Sequence, residues 1–149
     1  MKTACLVYLL AATDAHSKNY SLLYSRGSNR PSMRLAPLYD IASAWPYPRR
    51  IPPQKMKLAM QIGRHYRMRE IQPRHFAELA KACRYPADTL IAMLKNLSER
   101  LPDEGLTVLK EVQVRGMERA VFAKLLDGLT SQCKTTNRKL ADALKLPVQ

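Results

Sequence analysis

Behind an apolar N-terminal run lies Thr13-Asp14-Ala15-His16-Ser17-Lys18-Asn19. A carboxylate and a carboxamide five residues apart can address the same small volume when one short loop carries both. Asp14 can accept the proton of an attacking hydroxyl, and the amide oxygen of Asn19 is a hard donor suited to Mg²⁺. Asp40, further along the chain, offers a second hard carboxylate for the same ion. Proton removal beside a metal held on phosphate oxygens is the chemistry of phosphoryl transfer.

The spacing D-x-x-x-x-N is that of the second half of the protein-kinase catalytic loop. The pattern alone recurs by chance, so the elements around it carry the weight. Residues 3–12 are apolar almost all round, which predicts a buried helix leading into the loop. After the loop, YSLLY and MRLAPL frame a Gly-Ser-Asn-Arg-Pro stretch, which predicts a β-hairpin that delivers Asp40 at its exit. Trp45 to Pro53 holds four prolines and reads as irregular surface chain. Met56, Leu58, Met60 and Ile62 alternate with polar or small residues, the period of a half-buried strand, and Gly63–His65 turns it into a second hairpin. From Pro73 the period becomes helical. One helix is expected from Pro73 through Cys83, a second from Pro86 to Leu101, and a longer third from near Pro102 with Leu106, Leu109, Val112, Met117, Val121, Leu125 and Leu129 inward. The tail from Ser131 is polar, then weakly helical over 140–146. The expected fold is mainly α with two short β-hairpins (α+β), one domain over 1–149. Its first part, 1–72, carries the loop and hairpins, and 73–149 forms a helical bundle.

The strings TDAHSKNYSLLY, RLAPLYDIASAWPYP and KMKLAMQIGRHYRMREIQPRHF resemble the HipA-type serine/threonine kinase toxins of type II toxin–antitoxin systems. The resemblance runs in unbroken order over residues 3–85, and the helices after Pro86 fit that family's C-terminal end. It implies the C-terminal lobe of such a kinase, with Mg²⁺-dependent transfer of the ATP γ-phosphoryl group to a protein hydroxyl. Asp14 is then the catalytic base, Asn19 and Asp40 hold Mg²⁺, and His16 and Lys18 support the loop or the phosphates. Lys18 stands off the Asp-x-Lys spacing of ordinary protein kinases. The implied partners are a HipB-like antitoxin with its operator DNA, and glutamyl-tRNA synthetase as a protein substrate, in the cytoplasm. The chain also departs from the family: its five glycines include no G-x-G, and nothing before Asp14 matches a phosphate-covering loop. A separate N-terminal kinase half is therefore expected as a further partner, the chain alone is expected to be inactive, and residues 3–12 are expected to expose apolar surface.

Composition sets the outer bounds. At 149 residues and 17.0 kDa the chain can bury a core unaided, and 46% hydrophobic, 25% charged residues with mean hydropathy −0.32 describe a globular protein. Cys5, Cys83 and Cys133 form no CxxC pair, and the three histidines show no metal-ligand spacing, which argues against a disulfide framework or a zinc site. No run is long enough to span a membrane, and the short apolar N-terminus lacks the A-x-A site of a secretory leader. Lys and Arg number 25 against 12 acidic residues, a net charge of +13, which calls for an anionic partner. The alternative function is thus a non-catalytic basic module that binds DNA or an antitoxin.

Overall fold

The computed structural model describes residues 1–26, 31–114 and 119–145. Four helices, α1 (Lys2–Leu9), α2 (Pro73–Ala82), α3 (Ala87–Val114) and α4 (Arg119–Lys145), enclose most of the core. Two antiparallel hairpins lie between α1 and α2: β1 (Leu22–Arg26) with β2 (Pro31–Leu35), and β3 (Lys57–Ile62) with β4 (His65–Arg67). The expected α+β class holds. The expected turn residues 27–30 of the first hairpin lie outside the described residues.

The all-apolar α1 is buried as its composition demands. Cys5, Val7, Tyr8 and Leu9 are at most 4% exposed, packed with Phe76 and Ala80 of α2 and Leu90, Leu94 and Leu97 of α3. Tyr8 meets Phe76 edge to face at 5.4 Å, an arrangement that aromatic quadrupoles favour. The expectation that residues 3–12 expose apolar surface is corrected here, because the helical bundle itself covers them. Exposed apolar side chains cluster instead on the first hairpin, with others scattered along the chain. The hairpin's cross-strand pairs Leu22↔Leu35 and Tyr24↔Met33 are all solvent-facing, Tyr24 being 75% exposed.

Pro102 does not start a new helix. It sits inside α3, although proline removes the backbone bond to the carbonyl four residues earlier, here Ser98. The orphaned Ser98 carbonyl is met from the antiparallel neighbour: Asn137 Nδ2 of α4 donates to it at a long 3.5 Å, and the Ser98 hydroxyl donates back to Asn137 Oδ1. Ser98 is 1% exposed, so this pair replaces inside the core what proline removes. The tail from Ser131 is likewise helical within α4 as far as Lys145, and residues 146–149 lie outside the described residues. Of the expected inward stripe, Leu129 is buried, whereas Leu106 is 48% exposed; α4 instead buries Leu126, Leu129, Cys133, Thr136 and Leu140. Met117, and the side chain of Val112, lie outside what the structure describes.

The second hairpin seats α2. Gly63 (φ +52) and Arg64 (φ +67) form the two central residues of a turn with both φ positive, the twist-matched type I′ connection. A Cβ on Gly63 would meet the His75 backbone at 2.6 Å, so the turn requires glycine. His75 in return accepts the Gln72 backbone N–H on Nδ1 at 3.1 Å, capping α2, and stacks on His65 with centroids 3.9 Å apart. Of the alternating strand, Met56, Leu58 and Ile62 are buried and Met60 is 38% exposed.

Two outcomes follow. Asn137→Ala strands the Ser98 carbonyl and costs about 1–3 kcal/mol in urea unfolding; adding Pro102→Ala, which restores the backbone donor, recovers part of that loss. His75 is held neutral, its pKa lowered first by burial and then by the neighbouring His65. The unfolded chain therefore binds the extra proton. Stability is complete above the unfolded value near pH 6.5 and declines as pH falls through it toward the depressed folded value. Melting temperatures of the wild type should fall more between pH 7 and 5 than those of His75→Gln, which keeps an acceptor and loses the titration.

Candidate functional site

The site begins where α1 ends. A buried helix terminus leaves carbonyls that need donors, and the chain after Asp40 supplies them. Trp45 Nε1 donates to Leu9 O at 3.1 Å, Ser43 Oγ to Leu10 O at 2.6 Å, and Ala44 N–H to Ala11 O at 3.0 Å. Ala11 adopts φ +49, turning the chain toward the Asp14 loop. The segments preceding Asp14 and following Asp40 are thereby stitched side by side.

Asn19 makes the second connection. It closes a single turn of 3-10 helix, Ser17–Asn19, and its side chain is buried, the residue only 6% exposed. Nδ2 donates to Asp14 O at 3.1 Å and to Asp40 O at a long 3.5 Å. One carboxamide thus joins the main chains of both carboxylate-bearing residues. Asp40 itself sits at φ +55, a left-handed conformation that Asp tolerates better than most residues. A third link runs through Tyr39, whose hydroxyl pairs with Ser21 Oγ at 2.7 Å and donates to Lys18 O at 3.4 Å.

The side chains that could do chemistry remain open to solvent. The Asp14 carboxylate is 80% exposed, with His16 Nε2 4.0 Å from its Oδ1. His16 Nδ1 is buried without a hydrogen-bond partner. Lys18 and Asp40 are exposed. All five residues expected from the sequence lie on or beside this clasp, with Asp14, Asn19 and Asp40 directly joined. Spacing did not reveal the clasp itself, Tyr39, Ser43 and Trp45. Their only signal is position, immediately around and after Asp40.

The donor set fits Mg²⁺. With its amide hydrogens committed to two carbonyls, Asn19 retains Oδ1 as its coordinating atom, and the two carboxylates are equally hard ligands. Among the described residues no three His, Cys, Asp or Glu groups converge as a metal cage. Mg²⁺ is commonly held by one or two protein oxygens plus substrate phosphates, without a cage.

The model of the HipA-like C-terminal domain family matches residues 1–104. Over 121 residues the chain is 26% identical to the kinase-named protein Y4mE of Sinorhizobium fredii (strain NBRC 101917 / NGR234), covering 81% of this chain and 27% of that protein. The fold is similar to a chain of the Shewanella oneidensis MR-1 toxin–antitoxin complex of HipA, HipB and operator DNA. There the TM-score is 0.73 at 22% identity, covering 99% of this chain and 33% of the other. The chain therefore spans about a third or less of the length of these relatives. Among the described residues no helix is long and apolar enough to cross a membrane.

The clasp separates structural from chemical residues. Asn19→Ala leaves the Asp14 and Asp40 carbonyls without their donor and should cost about 1–3 kcal/mol in denaturant unfolding of the full chain. Asp14→Asn and Asp40→Asn, whose side chains are exposed, should each stay within about 0.5 kcal/mol of wild type.

Proposed function

Because the chain belongs to the HipA-like C-terminal domain family, we propose that it is the C-terminal catalytic part of a serine/threonine protein kinase. Asp14 acts as the base. As the hydroxyl oxygen of a protein substrate bonds to the γ-phosphorus of ATP and the bond to the ADP oxygen breaks, the hydroxyl proton passes to the Asp14 carboxylate. Bound Mg²⁺ would neutralise charge on the phosphate oxygens. Asn19 and Asp40 are its proposed ligands, and His16, 4.0 Å from Asp14, steadies that carboxylate. Lys18 is exposed beside the loop, where an ammonium can meet phosphate charge. The observation that carries this reading is the Asn19 amide bridging Asp14 and Asp40, which keeps base and metal ligands together across a hairpin.

The complete activity needs the other two-thirds that the relatives carry, where a nucleotide's remaining contacts would lie. The open apolar pairs of the first hairpin support that division. Two strands alone are marginal in water, and Leu22, Tyr24, Met33 and Leu35 offer an apolar face for such a part to cover. A HipB-like antitoxin and operator DNA, the partners of the solved Shewanella protein, are proposed partners here as well. Glutamyl-tRNA synthetase is the proposed substrate on family resemblance alone.

Calorimetric titration of ATP into the full chain, with and without Mg²⁺, tests the half-site. ATP should bind only with Mg²⁺, and Asp40→Asn should weaken it about tenfold or more, the loss of one charged ligand being worth at least about 1.4 kcal/mol. Equal binding without the metal, or in Asp40→Asn, overturns the ligand assignment; no binding under either condition overturns a half-site formed by this chain.

A further inference from the structure

The phosphoryl-transfer reading leaves unused a cleft between the second hairpin and α2. Its volume is about 720 Å³, within the range of small-molecule sites. Gln61, Arg64 and His65 line it from the hairpin, and Glu78, Leu79, Lys81 and Ala82 from α2. Arg64 is the first sign that the cleft has a use. It holds φ +67 as the second central residue of the turn, a conformation that suits glycine and strains an L side chain. Glycine or asparagine would make the same turn with less strain. The arginine is exposed, so packing does not offset the difference. Strain kept on a surface without such a return marks a position that handles a ligand.

The charges are the second sign. Glu78 and Lys81 stand one turn apart on α2, at the spacing where opposite charges on a helix ordinarily meet. Yet among the described residues no opposite charge lies within 4.0 Å of Glu78, Lys81 or Arg64. His65 is already engaged, stacked on His75 and 3.8 Å from Glu70. One acid and two bases thus share a cleft without neutralising one another.

We propose that this cleft binds a short peptide in its zwitterionic form. The peptide's carboxylate meets Arg64 and Lys81, its ammonium meets Glu78, and its apolar side chains lie on Leu79 and Ala82. Gln61 offers an amide that can both donate to and accept from a peptide bond. Ligands of one sign suit the walls less well. A phosphate compound would satisfy the two cations and be repelled by Glu78, whereas a polyamine would satisfy Glu78 and be repelled by Arg64 and Lys81. A single amino acid carries both charges but leaves much of the volume unfilled.

Titration of leucylleucine into the full chain, followed in amide NMR spectra, tests this. The cleft is open to water, so a dissociation constant on the order of 1 mM is expected, with shifts centred on Arg64 and on Glu78 to Ala82. N-acetyl-leucylleucine lacks the ammonium and leucylleucinamide lacks the carboxylate; each should bind about tenfold more weakly. Leucine alone should also bind more weakly than the dipeptide. Glu78→Gln should weaken leucylleucine about tenfold and leave the acetylated peptide unchanged, a selectivity that structural damage cannot produce. Arg64→Gly should weaken binding while raising the melting temperature. Equal binding of the free and blocked peptides, leucine bound as tightly, a Glu78→Gln loss shared by the acetylated peptide, or no shifts at about 10 mM peptide would each overturn the proposal. None of these readouts involves ATP, so they stand apart from the kinase reading.

Discussion

A helix that ends inside a protein leaves carbonyl groups with no partner, and water cannot reach them. In this molecule α1 is such a helix, because its apolar composition gives it no outward face. The carbonyls of Leu9, Leu10 and Ala11 must find donors in the chain itself, and they find Trp45, Ser43 and Ala44. That demand brings the segment after the first hairpin back to the start of the loop. Asp40 and Asp14 are neighbours because a helix terminus had to be satisfied. The Asn19 carboxamide refines a proximity that the capping of α1 has already imposed.

The same logic governs the long helices. Proline at 102 removes one rung of α3, and the break is mended from outside by Asn137 of α4. The mend works only because α3 and α4 lie antiparallel with Ser98 facing Asn137, and because Gly105 lets Leu126 approach closely. A polar pair in a core is stabilising only when each member is satisfied. Here it also fixes how the two helices register against one another.

How much of this could be read from the residues depends on how local each cause is. The loop, the hairpin that returns Asp40 and the start of α2 at Pro73 were legible, since spacing and proline chemistry are local signals. The Gly63 turn was legible for the same reason. The course of α3 through Pro102 was not, because its remedy lies 39 residues away in Asn137. Nor was the continuity of α4, whose polar Thr136 and Asn137 show no apolar helical period until their partners are seen. The candidate site divides in the same way. Asp14, Asn19 and Asp40 show themselves by residue type and order, whereas Ser43 and Trp45 act through contacts that no periodicity encodes.

Trp45 gives the molecule one more property. Its ring lies so close to α4 that a Cβ on Gly128 would meet it at 2.5 Å, while its indole N–H caps α1. Tyr8 of α1 likewise lies beside Thr136 of α4. The family match ends at residue 104, before α4 begins. The boundary of recognisable ancestry and the boundary of mechanical integrity therefore do not coincide. Cutting the gene at the first would remove the wall against which the indole leans. Drift in the less recognisable helix is thus constrained at Gly128 by the Asp14 loop's need for a fixed tryptophan.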